Sequence, residues 1–415
     1  MKQRILARAC VLAIAAVAAP AFAADNTLFQ PAALTPLKTD AAFAALANEA
    51  STFSVDVVAA NAAAVDTSTE TLKLDLDIGG PIRLTAERLS SQRNEDGIVT
   101  WHGTIAETRY NGARQASDIA DDPMNSVTLV RNGDKLTGNI RVKGQLYALR
   151  PLFDGRHVIV EVDEAKMPAD HDEAAYASMF EQERNRPVSP AAPKAVEANT
   201  TVRVLVNYTT AARNATADIV GLINLAVTES NQGYVNSGVE LTLQLAGTGV
   251  VTYTETGNFS TELSRYRSTS DGYMDAIHAQ RNSTTADVAV LIVNGSAYCG
   301  IGYMNVTASS AFTVVARTCA TGYYSFAHEI GHNFGANHDP ANASGSPYAY
   351  GHGYQRPANG WRTIMAYACS GASCTRINFW SNPNKTYGGV AMGTAATNNN
   401  ARVLTERKAT VAAFR

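Results

Sequence analysis

The stretch His328-Glu329-Ile330-Gly331-His332-Asn333-Phe334-Gly335-Ala336-Asn337-His338-Asp339 constrains this 415-residue chain more than any other part, since three of its eight histidines crowd into it. On a helix, positions i and i+4 share one face, so His328 and His332 can present two imidazoles to one ion with Glu329 beside them. Gly335 then permits the left-handed backbone that ends a helix and turns the chain, which delivers His338 as a third nitrogen ligand. A compatible fold must therefore supply a helix, a sharp turn and a metal-sized gap between three side chains. A solitary histidine is ordinarily just packed or solvated, and His102, His157, His171, His278 and His352 are read that way.

Three neutral imidazoles leave a zinc ion one open position, which separates a catalytic site from a structural one. Zinc lowers the pKa of a water in that position toward about 7, and Glu329 can take its proton and pass it on to a leaving amine. The implied reaction is attack on a polarised peptide carbonyl. Downstream, Thr363-Ile364-Met365-Ala366-Tyr367 sets Met365 in a short apolar run, which by itself reads as core. Residues 297–304 have the pattern of an edge strand. Such a strand could accept an extended peptide by β-augmentation, although the same pattern describes any edge strand.

The remaining chain divides by composition. Lys2, Arg4 and Arg8 precede an apolar run over residues 9–19, and Ala21-Phe22-Ala23 offers a small-residue cleavage site, so residues 1–23 read as a secretory signal peptide. The run is short for a membrane anchor, and export is expected, with periplasmic transit on the way to the exterior. Residues 24–70 are Ala-rich, with helical spacing only near residues 40–46. Period-two alternation over residues 71–163, broken by Asn-Gly and Asp-Gly turns, predicts a β-rich region. Residues 164–200 are charged, then rich in Pro and Ala around Arg186-Pro187, which predicts an exposed linker with a processing site. From residue 201 strand and helix patterns alternate: strands at 202–207, 240–245, 286–293 and 312–316, helices at 215–234, 275–281, 324–337 and 400–414. A mixed α/β domain over 201–415 follows.

Charge and cysteines narrow the class further. A formal net charge of -3 lacks the basic excess of a nucleic-acid binder. Cys10 lies in the expected leader, leaving Cys299, Cys319, Cys369 and Cys374, a number that suits two disulfides in an oxidising compartment. Three connectivities are open, of which the short loops favour Cys299 with Cys319 and Cys369 with Cys374.

With these motifs in view, residues 201–415 resemble the metzincin clan of zinc endopeptidases, Met365 lying where the clan has its Met-turn and Asp339 resembling the reprolysin-like branch. The leader, the segment from His328 to Asp339 and Phe379-Trp380-Ser381-Asn382-Pro383 are most similar to the bacterial peptidyl-Asp metalloendopeptidase family. The resemblance implies an α/β (α+β) catalytic domain with a mixed twisted sheet and an active-site helix, preceded by a β-rich propeptide over 24–163. It implies zinc on His328, His332 and His338, catalysis by Glu329, and protein or peptide substrates cleaved on the amino side of Asp. The propeptide would inhibit the enzyme, and no cysteine is available there to do so. An acidic side chain wants a fixed cation: Arg376 is first choice for its planar fork, with Arg362 and Lys385 nearby. Tyr367 departs from the reprolysin pattern and resembles the tyrosine that astacins and serralysins use as an oxyanion donor; a packed tyrosine is the other reading. A zinc-binding module without activity and a zinc hydrolase of other substrates are the rival functions, and Glu329 speaks against the first.

Overall fold

A computed structural model describes residues 26–32, 39–77, 81–106, 121–172, 174, 176–178, 199–343 and 345–415. The expected leader at 1–23 and the Pro-rich stretch at 186–193 lie outside the described residues. The described residues fall into two compact units, those within 1–109, 124–166 and 215–222 in one and those within 110–123, 167–214 and 223–415 in the other. Among the described residues no helix is long and apolar enough to cross a membrane.

The first unit is β-rich. Its strands β1 (Phe29–Pro31), β2 (Thr52–Ala60), β3 (Thr71–Asp77), β4 (Pro81–Arg93), β5 (Val99–Ile105), β6 (Ser126–Asn132), β7 (Lys135–Val142), β8 (Gln145–Pro151) and β9 (His157–Val162) form one sheet in the order β1-β2-β9-β8-β7-β6-β5-β4-β3. Leu28 N donates to Lys73 O at 2.9 Å and Lys73 N to Asn26 O at 2.9 Å, which joins the two ends of the sheet. Alternate residues such as Leu72, Leu74, Trp101, Leu129 and Leu149 fill the interior. The β-rich region thus begins earlier than alternation predicts. The Ala-rich stretch also supplies β2, because pairing with β9 overrides its weak local signal. The helical spacing near residue 40 becomes α1 (Ala41–Ala47), capped by Asp40, whose carboxylate accepts from Phe43 N at 3.0 Å.

In the second unit β10 (Thr200–Thr209), β11 (Leu241–Val251), β12 (Val288–Val293), β13 (Gly300–Gly302) and β14 (Phe312–Ala316) form a mixed sheet in the order β11-β10-β12-β14-β13. The first four strands are parallel and β13 is an antiparallel edge. β12 reads Val-Ala-Val-Leu-Ile-Val and is buried throughout, as a parallel strand covered on both faces must be. Along this sheet Ala289, Leu291, Val293, Ile301, Phe312 and Val314 share one apolar cluster with residues of α4 (Phe259–Arg267) and α5 (Ile277–Ser283); α2 (Thr210–Asn214) and α3 (Ile219–Asn236) come earlier in the chain. The alternate residues Gly300 and Gly302 lie against α6 (Ser325–Phe334). The chain closes with α7 (Asn400–Val411). Helix α6 is shorter than the spacing predicts because Gly335, at φ +103°, turns the backbone left-handed and its N–H donates to His332 O at 2.8 Å.

Candidate metal centre and active site

Helix α6 is buried along its whole length, and it carries His328, Glu329 and His332. Beyond Gly335 the chain doubles back: Asn337 N donates to Gly351 O at 2.7 Å and Gly353 N to Asn337 O at 2.9 Å, which fixes the backbone on which His338 sits. His338 Nε2 comes to 3.2 Å from His328 Nε2. Asp339 then ties this segment to the methionine turn, accepting from Tyr367 N at 2.9 Å. Met365 is fully buried, and a Cβ on Gly331 would meet the Met365 sulfur at 3.1 Å and the Trp380 ring at 2.6 Å. Only glycine at 331 lets the helix lie so close to both.

A fourth imidazole joins the three. His171 Nε2 lies 3.1 Å from His328 Nε2, 2.9 Å from His338 Nε2 and 3.3 Å from His332 Nε2. Tautomers follow from the partners: Nδ1 of His328 faces Ile364 O, Nδ1 of His332 faces Ala336 O and Nδ1 of His171 faces Gly300 O, each at 2.9 Å. A carbonyl oxygen only accepts, so each of those Nδ1 atoms carries the hydrogen. Burial, followed by the neighbouring imidazoles, pushes His328, His332 and His338 well below the ordinary imidazole value. The rings are therefore neutral: His328, His332 and His171 turn bare Nε2 lone pairs toward each other, and His338, whose Nδ1 has no hydrogen-bond partner among the described residues, brings its own Nε2 against those of His328 and His171. Such contacts repel unless a cation sits among them. A tetrahedral ion with metal–nitrogen bonds of about 2.0–2.1 Å sets its ligand nitrogens about 3.3 Å apart. The observed spacings fit a divalent metal of zinc's size, and the Nδ1 carbonyl bonds are the outer shell that holds such ligands in tautomer and orientation.

Glu329 is buried beside the cluster, its Oε1 3.7 Å from His171 Nδ1, and among the described residues its Oε2 has no hydrogen-bond partner. Burial pushes its carboxyl well above the ordinary range, the charge of Asp170 adds to that, and Arg376 opposes it. Room for the carboxylate comes from β13, where a Cβ on Gly300 would lie 2.5 Å from Glu329 Oε1.

Arg376 and Arg362 are neighbours in register on two short paired strands, and both are buried. Arg362 donates to Ala366 O at 2.5 Å and to the Tyr323 hydroxyl at 2.8 Å. Arg376 donates to Asp170 Oδ2 at 2.6 Å and to Ala366 O at 3.2 Å, its guanidinium lying over the Tyr323 ring. Burial acts to raise the Asp170 carboxyl, but Arg376 holds it below the ordinary value. Cys369 pairs with Cys374 in the loop before Arg376, and Cys299 with Cys319, joining the edge strand to the approach to α6. The Tyr367 ring stands 4.4 Å from that of His338. Lys385 is drawn into neither the arginine pair nor the imidazole cluster; its side chain approaches Gly238.

Two sequence expectations change here. His171 is not an ordinary packed histidine, and the segment 164–200 is not exposed throughout: Asp170, His171 and Tyr176 are buried in the second unit. Ala169 bridges Tyr298 in parallel, Cys299 N donates to Ala169 O at 2.8 Å and Gly300 N to Asp170 O at 3.1 Å. The edge strand read at 297–304 reduces to β13, with residues 298–300 taken up by this pairing. His171 carries no spacing signal, being 157 residues from His328. Gly300 and Gly302 did leave one, since two glycines at i and i+2 strip one face of a strand.

Comparison with known proteins agrees with this geometry. Residues 198–400 match a reprolysin-type family model described as metallo-peptidase family M12. The chain is 49% identical over 369 residues to the peptidyl-Asp metalloendopeptidase of Xanthomonas campestris pv. campestris, covering 88% of this chain and 87% of that protein. It is 48% identical over 415 residues to the enzyme of that name from Stenotrophomonas maltophilia, covering 97% and 96% of the two chains. The chain belongs to the peptidyl-Asp metalloendopeptidase family. It is accordingly a metalloendopeptidase, a hydrolase of peptide bonds. Pseudomonas fragi has a further relative of that name, 47% identical over 188 residues, which are 45% of this chain and 100% of that protein. Among solved structures, metalloproteinase-II from Bacteroides fragilis has a TM-score of 0.38 at 12% identity, over 81% of this chain and 91% of that one.

Proposed function

We propose that the chain is an exported zinc endopeptidase that cleaves proteins or peptides on the amino side of Asp. Residues 201–415 would form a metzincin-like catalytic domain, with 1–23 as leader, 24–163 as propeptide and processing within 164–200. One observation carries the reading: the imidazole nitrogens of His328, His332 and His338 converge in one buried cluster beside the carboxylate of Glu329, with those of His328 and His332 left bare by their Nδ1 bonds. These three histidines would hold the ion. Zinc bound there supplies Lewis acidity, polarising a carbonyl and lowering the pKa of a coordinated water. Glu329 accepts a proton at its Oε2 and returns it to the departing amine nitrogen, work suited to a buried carboxyl with a raised pKa. Met365 supports the imidazoles from below without ligating. Tyr367, beside His338, donates its hydroxyl hydrogen to the oxygen on which negative charge develops.

The Asp preference rests on Arg376. The buried guanidinium of Arg376, with that of Arg362 in register, already holds the carboxylate of Asp170, and a substrate carboxylate taking the place of Asp170 would accept the same charge-assisted hydrogen bond. The names of the relatives agree with this preference. Export is supported by the two disulfides and by the leader pattern. Casein digestion tests the central reading: it should stop with a chelator, return with zinc and be absent in Glu329→Ala. Digestion that survives chelation and the substitution alike would end it.

A further inference from the structure

We propose that Asp170 and His171 form an internal plug that occupies the metal site and the arginine pocket together, His171 as a fourth metal ligand and Asp170 as a stand-in for the substrate's aspartate. The observations are independent of one another. His171 Nε2 lies 2.9–3.3 Å from the three other Nε2 atoms, with its own hydrogen committed at Nδ1 to Gly300 O. Asp170, the preceding residue, places Oδ2 2.6 Å from Arg376. The backbone between them is held by Cys299 N and Gly300 N along the sheet edge. Tyr176 covers the outer side: its ring stacks on His171 with centroids 5.0 Å apart, and its hydroxyl lies 2.9 Å from His332 Nδ1. A four-nitrogen shell has no position left for water, so the chain in this form is a closed enzyme.

The plug also explains its own survival, given the Asp preference proposed above, on which this step rests. Cleavage on the amino side of Asp requires the reacting carbonyl to belong to the residue before the aspartate. Here the group over the metal, His171, comes after Asp170. With the carboxylate in the arginine pocket, the segment therefore runs in the opposite sense to a substrate, which would set the Ala169–Asp170 bond away from the imidazoles. The segment pairs in parallel with residues 298–300, so a productive peptide should pair antiparallel to the same edge.

The full chain carrying Glu329→Gln, which prevents self-cleavage, provides the test after loading with cobalt(II) as a spectroscopic probe. His171→Phe keeps an aromatic ring but removes the ligand. It should change the intensity of the visible cobalt bands and speed metal loss to a chelator at least tenfold. Added imidazole should reverse the spectral change, which a collapsed fold would not allow. Identical spectra and release rates with and without His171 would overturn the plug. The aspartate half is read separately, as anisotropy of a labelled peptide containing one Asp: Asp170→Asn combined with His171→Phe should bind it at least tenfold more tightly than the chain with the plug intact. Equal binding by the two chains would overturn that half. If the peptide binds the opened chain no better than its Asn analogue, the Asp preference falls while the metal result still decides the plug.

Discussion

Replacing Gly300 by alanine tests whether the edge strand sets the position of Glu329. A Cβ at residue 300 would stand 2.5 Å from Glu329 Oε1 and 2.7 Å from both Cδ and Cγ. Ordinary contact begins near 3.4 Å, so a shift of about 0.9 Å is needed. Glu329 is 1% exposed, at the centre of a helix buried at every residue, so the carboxylate rather than the helix should move. A misplacement of about 1 Å in a catalytic group can cost 100-fold in rate. Gly300→Ala should therefore lower kcat about 100-fold on a fluorogenic Asp peptide and leave KM within a few-fold. Zinc content, measured by plasma mass spectrometry, should stay at the wild-type level, since the three histidines proposed to hold the metal lie elsewhere. An alanine enzyme with unchanged kcat would refute the placement of Glu329 by β13, and loss of metal would show that the strand supports the ligands instead.

Further outcomes follow from other parts of the molecule. Arg376→Ala should reduce kcat/KM for peptides with Asp after the scissile bond about 30-fold, or ~2 kcal/mol for a lost charged hydrogen bond, and leave the Asn analogues unaffected; an unaltered cleavage-site profile would remove Arg376 from the pocket. Tyr367→Phe should cost about 100-fold in kcat, the scale of losing an oxyanion donor, and unchanged kcat would reduce the residue to packing. His157 bears on the first unit's response to acid. Its Nε2 accepts from Leu136 N at 3.0 Å, and burial depresses its pKa from 6.5 to about 4. The unfolded chain thus binds a proton that the folded chain refuses, so this contribution is full above pH 6.5 and is lost as pH falls toward 4. The whole amounts to about 3 kcal/mol. Urea unfolding at pH 7 and pH 4.5 should show that difference in wild type and much less of it in His157→Gln; equal pH dependence in both would contradict it.

How much of this was legible in the sequence depends on the range over which each signal acts. The turn at Gly335, the helix before it and the paired histidines were readable because helix spacing and a left-handed glycine are local properties. The strands at 288–293 and 312–316 were readable because burial on both faces leaves unbroken apolar runs. β2 was obscured: its alanines have little preference of their own, and its partner β9 lies about a hundred residues away. Arg376 could be named from the chemistry of binding a carboxylate, but its partner Asp170 could not. Asp170 and His171 lie in a charged stretch that continues into Pro and Ala, whose composition resembles a linker. Only the fold brings that stretch to the edge of the second sheet. What was missed is long-range pairing, which leaves no period to read.

Native mass spectrometry of the processed enzyme, run beside a peptide-hydrolysis assay, bears most directly on the role given to Glu329 and the three histidines. Wild type and Glu329→Gln should each carry one zinc ion, with hydrolysis lost only in the variant, while His332→Ala should lose both metal and hydrolysis. Full hydrolysis by metal-free protein, or by Glu329→Gln with its zinc in place, would contradict the account.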